Sequence, residues 1–175
     1  CAGGISGRLE GSSTYVDGCT VNITGSVSAT GNHRSGSNTV AGGITGWTQF
    51  NPTIQNCTVS GTGAVQTAVY ENEQITSTDA QTPVHAAGGV AGYTNIPHSG
   101  TDWPKSPILN CHVDLGTVEA AGNNTGSNLV FFAGGAVGYS KPARHWWLPL
   151  REGSHTLIYS SAATISAGVL QYSGK

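Results

Sequence analysis

Four cysteines, six histidines, nine acidic residues and four tryptophans are the side chains of this 175-residue chain best able to do chemistry. Their spacing decides which chemistry is open to them. Serine or cysteine nucleophiles need a neighbouring base, often on a sharp strand-to-helix elbow, and no Gly-x-Ser-x-Gly elbow occurs here. A tetrahedral metal site draws on paired ligands such as Cys-x-x-Cys or His-x-x-x-His. His33, His85, His98, His112, His145 and His155 are scattered instead, and no two cysteines have that spacing. Neither a metal nor another cofactor is expected. Polysaccharide cleavage requires clustered carboxylates, or a basic residue with calcium. Asp17, Asp79, Asp102, Asp114 and the five glutamates do not recur at equivalent positions, so a degradative enzyme is the least favoured reading and the chain is expected not to be an enzyme.

The aromatic residues are a different case. Trp47, Tyr93 and Tyr139 each follow the last glycine of a repeated phrase, and Arg8 holds that place in its first copy. Trp103 lies in "SGTDWPKSP", and Trp146 and Trp147 lie in "ARHWWLPLRE". Aromatic faces beside Asp, Asn and Arg can grip sugar rings or protein partners. These six aromatics are the candidate ligand-binding residues, with host or bacterial glycans or proteins as partners. The competing reading is that they pack down over an edge of the fold and cover its loops. An exposed pair of tryptophans is costly without a partner.

What positions these side chains is a repeat. "CAGGISGR", "VAGGITGW", "AAGGVAGY" and "FAGGAVGY" begin at Cys1, Val40, Ala86 and Phe132. Their glycine pairs are Gly3 and Gly4, Gly42 and Gly43, Gly88 and Gly89, and Gly134 and Gly135. A phrase written four times points to architecture and not to a catalytic loop. A second phrase follows each time: "YVDGCTVNITGSV" from Tyr15, "TIQNCTVSGTGAV" from Thr53 and "PILNCHVDLGTV" from Pro107. Cys19, Cys57 and Cys111 are therefore one position seen three times. The fourth copy, "HTLIYSSAATISAGVL" from His155, keeps the apolar rhythm without the cysteine.

Each repeat offers three short strands: the Gly-Gly phrase, the Cys phrase and a Gly-x-Val phrase. Strict alternation holds only from the cysteine onward, which places a bend just before it. The lengths between phrases vary, and these inserts carry most of the Pro, Trp and charge. The pattern predicts an all-β fold, a parallel β-solenoid of about four coils, with repeats at 1–39, 40–85, 86–131 and 132–175. Its handedness is set to right by the rule for parallel crossovers. Equivalent residues then stack in columns: Ile5, Ile44, Val90 and Ala136; Val16, Ile54 and Ile108; Val21, Val59 and Val113; Val27, Val65 and Val118. The glycine pairs either turn a corner with positive φ or let successive backbones approach closely. A β-propeller is the competing architecture, although its blades need four strands of steadier pattern.

Stacked cysteines would form a buried column, with a disulfide between two members as the alternative. Cys1 is the end residue of a processed lipoprotein or, because it already occupies a repeat position, a cut within a longer chain. The sequons at Asn22, Asn56 and Asn123 arise readily in a chain so rich in Asn and Thr.

The phrases "AGGITGW…TIQNCTVSGTGAV" and "AAGGVAGY…PILNCHVDLGTV" resemble the GLUG-type repeats of bacterial surface and secreted proteins. Asn56-Cys57 and Asn110-Cys111 match that family's second phrase, whereas Asp17-Gly18-Cys19 departs at the asparagine. The resemblance implies β-helical repeats in large adhesin-like or protease-associated extracellular proteins, and it supplies no catalytic residues.

Composition agrees with a surface scaffold. Charged residues make up 9% of the chain and Gly 26 of its residues, against about 25% charge and roughly 7% Gly in ordinary domains. Net charge is −2 with no basic stripe, which argues against nucleic acid. No apolar run approaches the roughly 20 residues of a membrane span. The chain lacks Met and opens inside a phrase, so it is read as a processed product or a segment of a longer array. The expected role is an extracellular or cell-surface structural and adhesive module, part of a stalk, fibre or adhesin. Neighbouring repeats or subunits would sit at both ends, where unpaired strands are otherwise a liability. A carbohydrate-binding module is the alternative.

Overall fold

A computed structural model describes residues 1–11, 13–32, 38–50, 52–70, 84–95, 108–123, 130–141, 158–159 and 162–174. The described chain is all-β, with every strand pairing in parallel. The first repeat contributes β1 (Ala2–Gly3), β2 (Ser6–Glu10), β3 (Tyr15–Asp17), β4 (Thr20–Asn22) and β5 (Ser26–Asn32). The second contributes β6 (Thr39–Gly42), β7 (Thr45–Gln49), β8 (Thr53–Gln55) and β9 (Thr58–Tyr70). In the third they are β10 (Val84–Gly88), β11 (Ala91–Asn95), β12 (Ile108–Leu109) and β13 (His112–Asn123). The fourth supplies β14 (Val130–Gly134), β15 (Val137–Lys141), β16 (Ile158–Tyr159) and β17 (Ala162–Gly174). These strands form four sheets, ordered β1-β6-β10-β14, β2-β7-β11-β15, β3-β8-β12-β16 and β4-β9-β13-β17, with β5 also on β9. The chain visits the sheets in one order in every repeat.

Four strand positions per repeat replace the expected three. The Gly-Gly phrase breaks after its first glycine and divides between two sheets. The Cys phrase divides at the cysteine. In the later repeats the Gly-x-Val phrase runs on from the cysteine strand as one long element, and in β9 this element includes Gly61 at a φ of 125°.

The corner at the cysteine is a backbone effect. Asn56 and Asn110 have φ of 52° and 49°, and Gly18 holds the equivalent place at 66°. Only Gly, and Asn at modest cost, adopts this left-handed conformation routinely. The chain therefore bends just before Cys19, Cys57 and Cys111. The corner at the glycine pairs has another cause: among the described residues the left-handed glycines are Gly11, Gly18 and Gly61, none of them in those pairs. There the requirement is close approach. A Cβ on Gly89 would lie 2.6 Å from Val113 Cγ1, and one on Gly92 would lie 2.5 Å from Ala41 O and 2.8 Å from Ala41 N. Such distances leave room for hydrogen alone.

The interior is a set of columns. Val16, Ile54, Ile108 and Ile158 share one register position, as do Val21, Val59, Val113 and Ala163, and Val27, Val65, Val118 and Val169. Backbone hydrogen bonds link Ile5 to Ile44, Ile44 to Val90 and Val90 to Ala136. Members in the middle repeats are closed off from water, Ile44, Val59, Val65 and Val90 all at 0% exposure. Full burial of one such side chain contributes about 1.5–3 kcal/mol. The first repeat is open by comparison, with Ile5 45% exposed.

Repeat lengths differ by a residue within the fourth sheet, and a bulge absorbs the difference. Leu115 pairs with Gly61 and Thr117 with Ala64, so Gly116 alone faces Thr62 and Gly63. The same irregularity lies between β13 and β17, where Leu115 pairs with Ile165 and Thr117 with Gly168. Pairing is in step on both sides of it.

Two glycines separate close approach from mere flexibility. Gly89→Ala is expected to cost more than about 2 kcal/mol through overpacking. Gly25→Ala, with nothing within 4 Å of the added carbon and no left-handed φ, is expected to change stability by less than about 1 kcal/mol. Urea unfolding of the two variants checks both.

Candidate functional site

Sheet register assembles the aromatic residues into a column. Arg8, Trp47, Tyr93 and Tyr139 occupy one position in β2, β7, β11 and β15. Ring centroids are 4.8 Å apart for Trp47 and Tyr93, and 5.5 Å apart for Tyr93 and Tyr139. Phe132 stacks on Tyr139 at 4.5 Å. The Arg8 guanidinium lies over the Trp47 ring at 5.6 Å, a cation–π contact that closes the column, and Arg8 also bonds Glu10 at 3.1 Å and Gln49.

Burial divides the column. Tyr93 is 3% exposed and packs with Val40 and Ala86 in an apolar cluster of its own, whereas Trp47 and Tyr139 stay partly exposed. The ring faces of Tyr93 are occupied by Trp47 and Tyr139, so any ligand on this edge would meet the two outer aromatics. Burial, reinforced by neighbouring Tyr139, pushes the Tyr93 phenol up to about 12. Trp47 Nε1 is buried and makes no hydrogen bond. Trp103, Trp146 and Trp147 lie outside the described residues.

A polar feature that sequence reading missed runs along the cysteine corner. Asn110 Nδ2 donates to Asn56 Oδ1 at 2.9 Å, and Asn56 Nδ2 donates to Asp17 Oδ1 at 2.8 Å. Gln55 Nε2 donates to the other Asp17 oxygen at 2.7 Å. The result is an amide ladder that ends on a carboxylate. These bonds, Asn56 foremost and then Gln55, hold the exposed Asp17 carboxyl below its ordinary range. The signal lay in "QNC" and "LNC": the same left-handed positions that bend the backbone also line up their side chains.

Behind that ladder the thiols stack. Cys57 and Cys111 are buried, Cys19 is partly exposed, and Cys1 is exposed; all four are thiols and not disulfides. Cys57 Sγ lies 3.0 Å from Gln55 O and 3.7 Å from Val16 O, and Cys111 Sγ lies 3.4 Å from Leu109 O and 3.7 Å from Ile54 O. Each thiol thus meets a carbonyl of its own corner and one of the preceding repeat. Desolvation raises both buried thiols above their ordinary value, which keeps them protonated and unreactive at neutral pH.

The histidines do not converge on these features. His85 is buried with its ring 5.3 Å from that of Phe131, and His112 is exposed. Among the described residues no group of three or more His, Cys, Asp or Glu side chains is arranged to hold a metal ion.

The amide ladder and the aromatic column each generate an expectation. Asn56→Val forces a β-branched residue into the left-handed region and removes two side-chain hydrogen bonds, so a loss of about 2–3 kcal/mol is expected in chemical denaturation. Gly18→Asn meets open space at a compatible φ, and its stability is expected to stay within about 1 kcal/mol of the parent. For Tyr93, the folded value near 12 exceeds the ordinary 10, so its contribution is intact below pH 10 and is lost as pH rises towards 12. Melting curves across that interval should fall less steeply for Tyr93→Phe than for the parent chain.

Compared with family models, curated proteins and solved structures, the chain matches none.

Proposed function

We propose that the chain is a β-solenoid module, right-handed and non-enzymatic, that builds part of an extracellular stalk, fibre or adhesin on a bacterial surface. The observation that carries this reading is the shared strand order of the four sheets. Each takes its strands from the successive repeats in sequence, always parallel, so every added repeat lengthens the molecule along one axis. At about 4.8 Å per repeat, four repeats make a rod roughly 20 Å long. Low charge and outer positions rich in Ser, Thr and Asn suit an extracellular setting, as does the likeness of the two repeated phrases to GLUG-type repeats. Such a module serves reach and display.

Electron microscopy of the native protein tests this reading. Rods or filaments whose length grows with the number of repeats are expected, and compact particles of the chain's own 17.8 kDa would count against it.

A second reading has one observation behind it: Trp47 is partly exposed, carries an unbonded buried indole N–H and sits under Arg8. The exposed edge of Trp47, capped by the Arg8–Glu10 pair, would offer a sugar ring an aromatic contact and charged hydrogen-bonding groups. Plant, mucin and bacterial glycans should then quench tryptophan fluorescence, and Trp47→Ala should abolish the response. Unchanged emission across such a panel would remove the carbohydrate reading.

A further inference from the structure

Repetition places two buried thiols where a single bound ion can join them. His112 N bonds Cys57 O at 2.8 Å, and the residues that follow the two cysteines, Thr58 and His112, share a register position. Cys57 and Cys111 therefore sit one above the other, a ladder step of about 4.8 Å apart. Their surroundings repeat as well. Each Sγ lies close to the carbonyl oxygen two residues before it, 3.0 Å away for Cys57 and 3.4 Å for Cys111, and 3.7 Å from a carbonyl of the preceding repeat. Side chains held alike by equivalent neighbours point the same way, so their sulfur atoms are separated by roughly the ladder step itself.

That separation decides what can link them. A disulfide needs sulfur atoms about 2.05 Å apart, which in-register strands reach only by leaning two side chains together. Two metal–thiolate bonds of about 2.3 Å laid end to end span about 4.6 Å. The gap suits one ion with two sulfur ligands on opposite sides. Zinc asks for four ligands in a tetrahedron, and among the described residues no group of three His, Cys, Asp or Glu forms. A soft ion satisfied by two thiolates matches these donors. Charge narrows the choice further. Cys57 and Cys111 are 1% and 2% exposed and belong to the main apolar cluster, where an uncompensated charge is costly. A divalent ion cancels the charge of two thiolates, whereas a univalent one leaves a negative charge behind.

We infer that Cys57 and Cys111 form a linear two-thiolate site for a soft divalent ion of the mercury(II) class. Binding exchanges two S–H bonds for two S–Hg bonds and releases two protons, with no change in oxidation state. Burial keeps the thiols protonated, and the ion takes the place of that proton at each sulfur, so uptake weakens as pH falls. The site depends on the register of the second and third repeats and is independent of the rod reading.

The chain has four cysteines, so Cys1→Ser combined with Cys19→Ser leaves these two alone. Titrated with mercuric chloride at neutral pH, that variant should take up one ion per chain. Native mass spectrometry should show the mass of one mercury less two protons, and a sulfur-to-mercury absorption band should appear in the ultraviolet while the β-sheet circular dichroism is kept. Adding Cys111→Ser should leave an ion that a small monothiol strips at a concentration about 100-fold lower, because the second tether is gone. Cys57→Ser should behave in the same way, which keeps the pair testable if either variant fails to fold. A folded chain that takes up no ion overturns the inference, as does equal retention after either serine substitution. Loss of the β-sheet signal on binding overturns it too, since the ion would then enter only by prising the repeats apart.

Discussion

The structure depends on how closely two backbones can approach at the glycine corner. Successive strands of the first and second sheets pass one another with no space for a side chain, as the 2.5 Å from a hypothetical Gly92 Cβ to Ala41 O shows. That approach folds each Gly-Gly phrase sharply enough for Val40 and Ala86 to face Tyr93 on one side, while Ala41 and Ala87 face the main core on the other. With a larger residue there, the two sheets would separate and the interior columns would lose their common axis. The cysteine corner works through conformation instead of space. It asks for a left-handed residue, and Gly18, Asn56 and Asn110 provide one. Two corners of different physical origin thus bend each of the first three repeats.

Much of this was legible because repetition turns sequence spacing into register. The columns of Val16 with Ile54 and Ile108, of Val59 with Val113, and of Trp47 with Tyr93 and Tyr139 could be written down from aligned phrases alone. Strand number could not. A Gly-Gly phrase looks the same whether it crosses one sheet or bends between two, since the deciding quantity is distance to a neighbouring backbone. The choice between positive φ and close approach at the glycine pairs was open for the same reason. The amide ladder went unseen because "DGC" seemed only a departure from "QNC" and "LNC". In three dimensions Gly18 supplies the backbone angle while Asp17 supplies an acceptor, so the two residues divide work that Asn56 does alone.

The candidate site shows how a repeat converts ordinary side chains into extended features. A single Trp47 would be a surface aromatic; in register with Tyr93 and Tyr139, and under Arg8, it becomes part of a continuous edge with a buried middle and accessible ends. The thiols follow the same logic. Stacked at one corner, they fill a narrow space and meet carbonyls of two repeats, which is a packing role and needs no reactivity. Among the described residues, polar, aromatic and thiol side chains are distributed in lines that follow the register of the sheets.

The bulge opposite Gly116 has a consequence for how such an array can change. Because Thr117 again faces Ala64 immediately after the irregularity, an extra residue is confined to the place where it enters and does not dephase the columns beyond it. The ladder resets its own frame. Single-residue length errors in one repeat are therefore locally correctable, and repeats of unequal length can be recombined, duplicated or traded without each needing a matched neighbour.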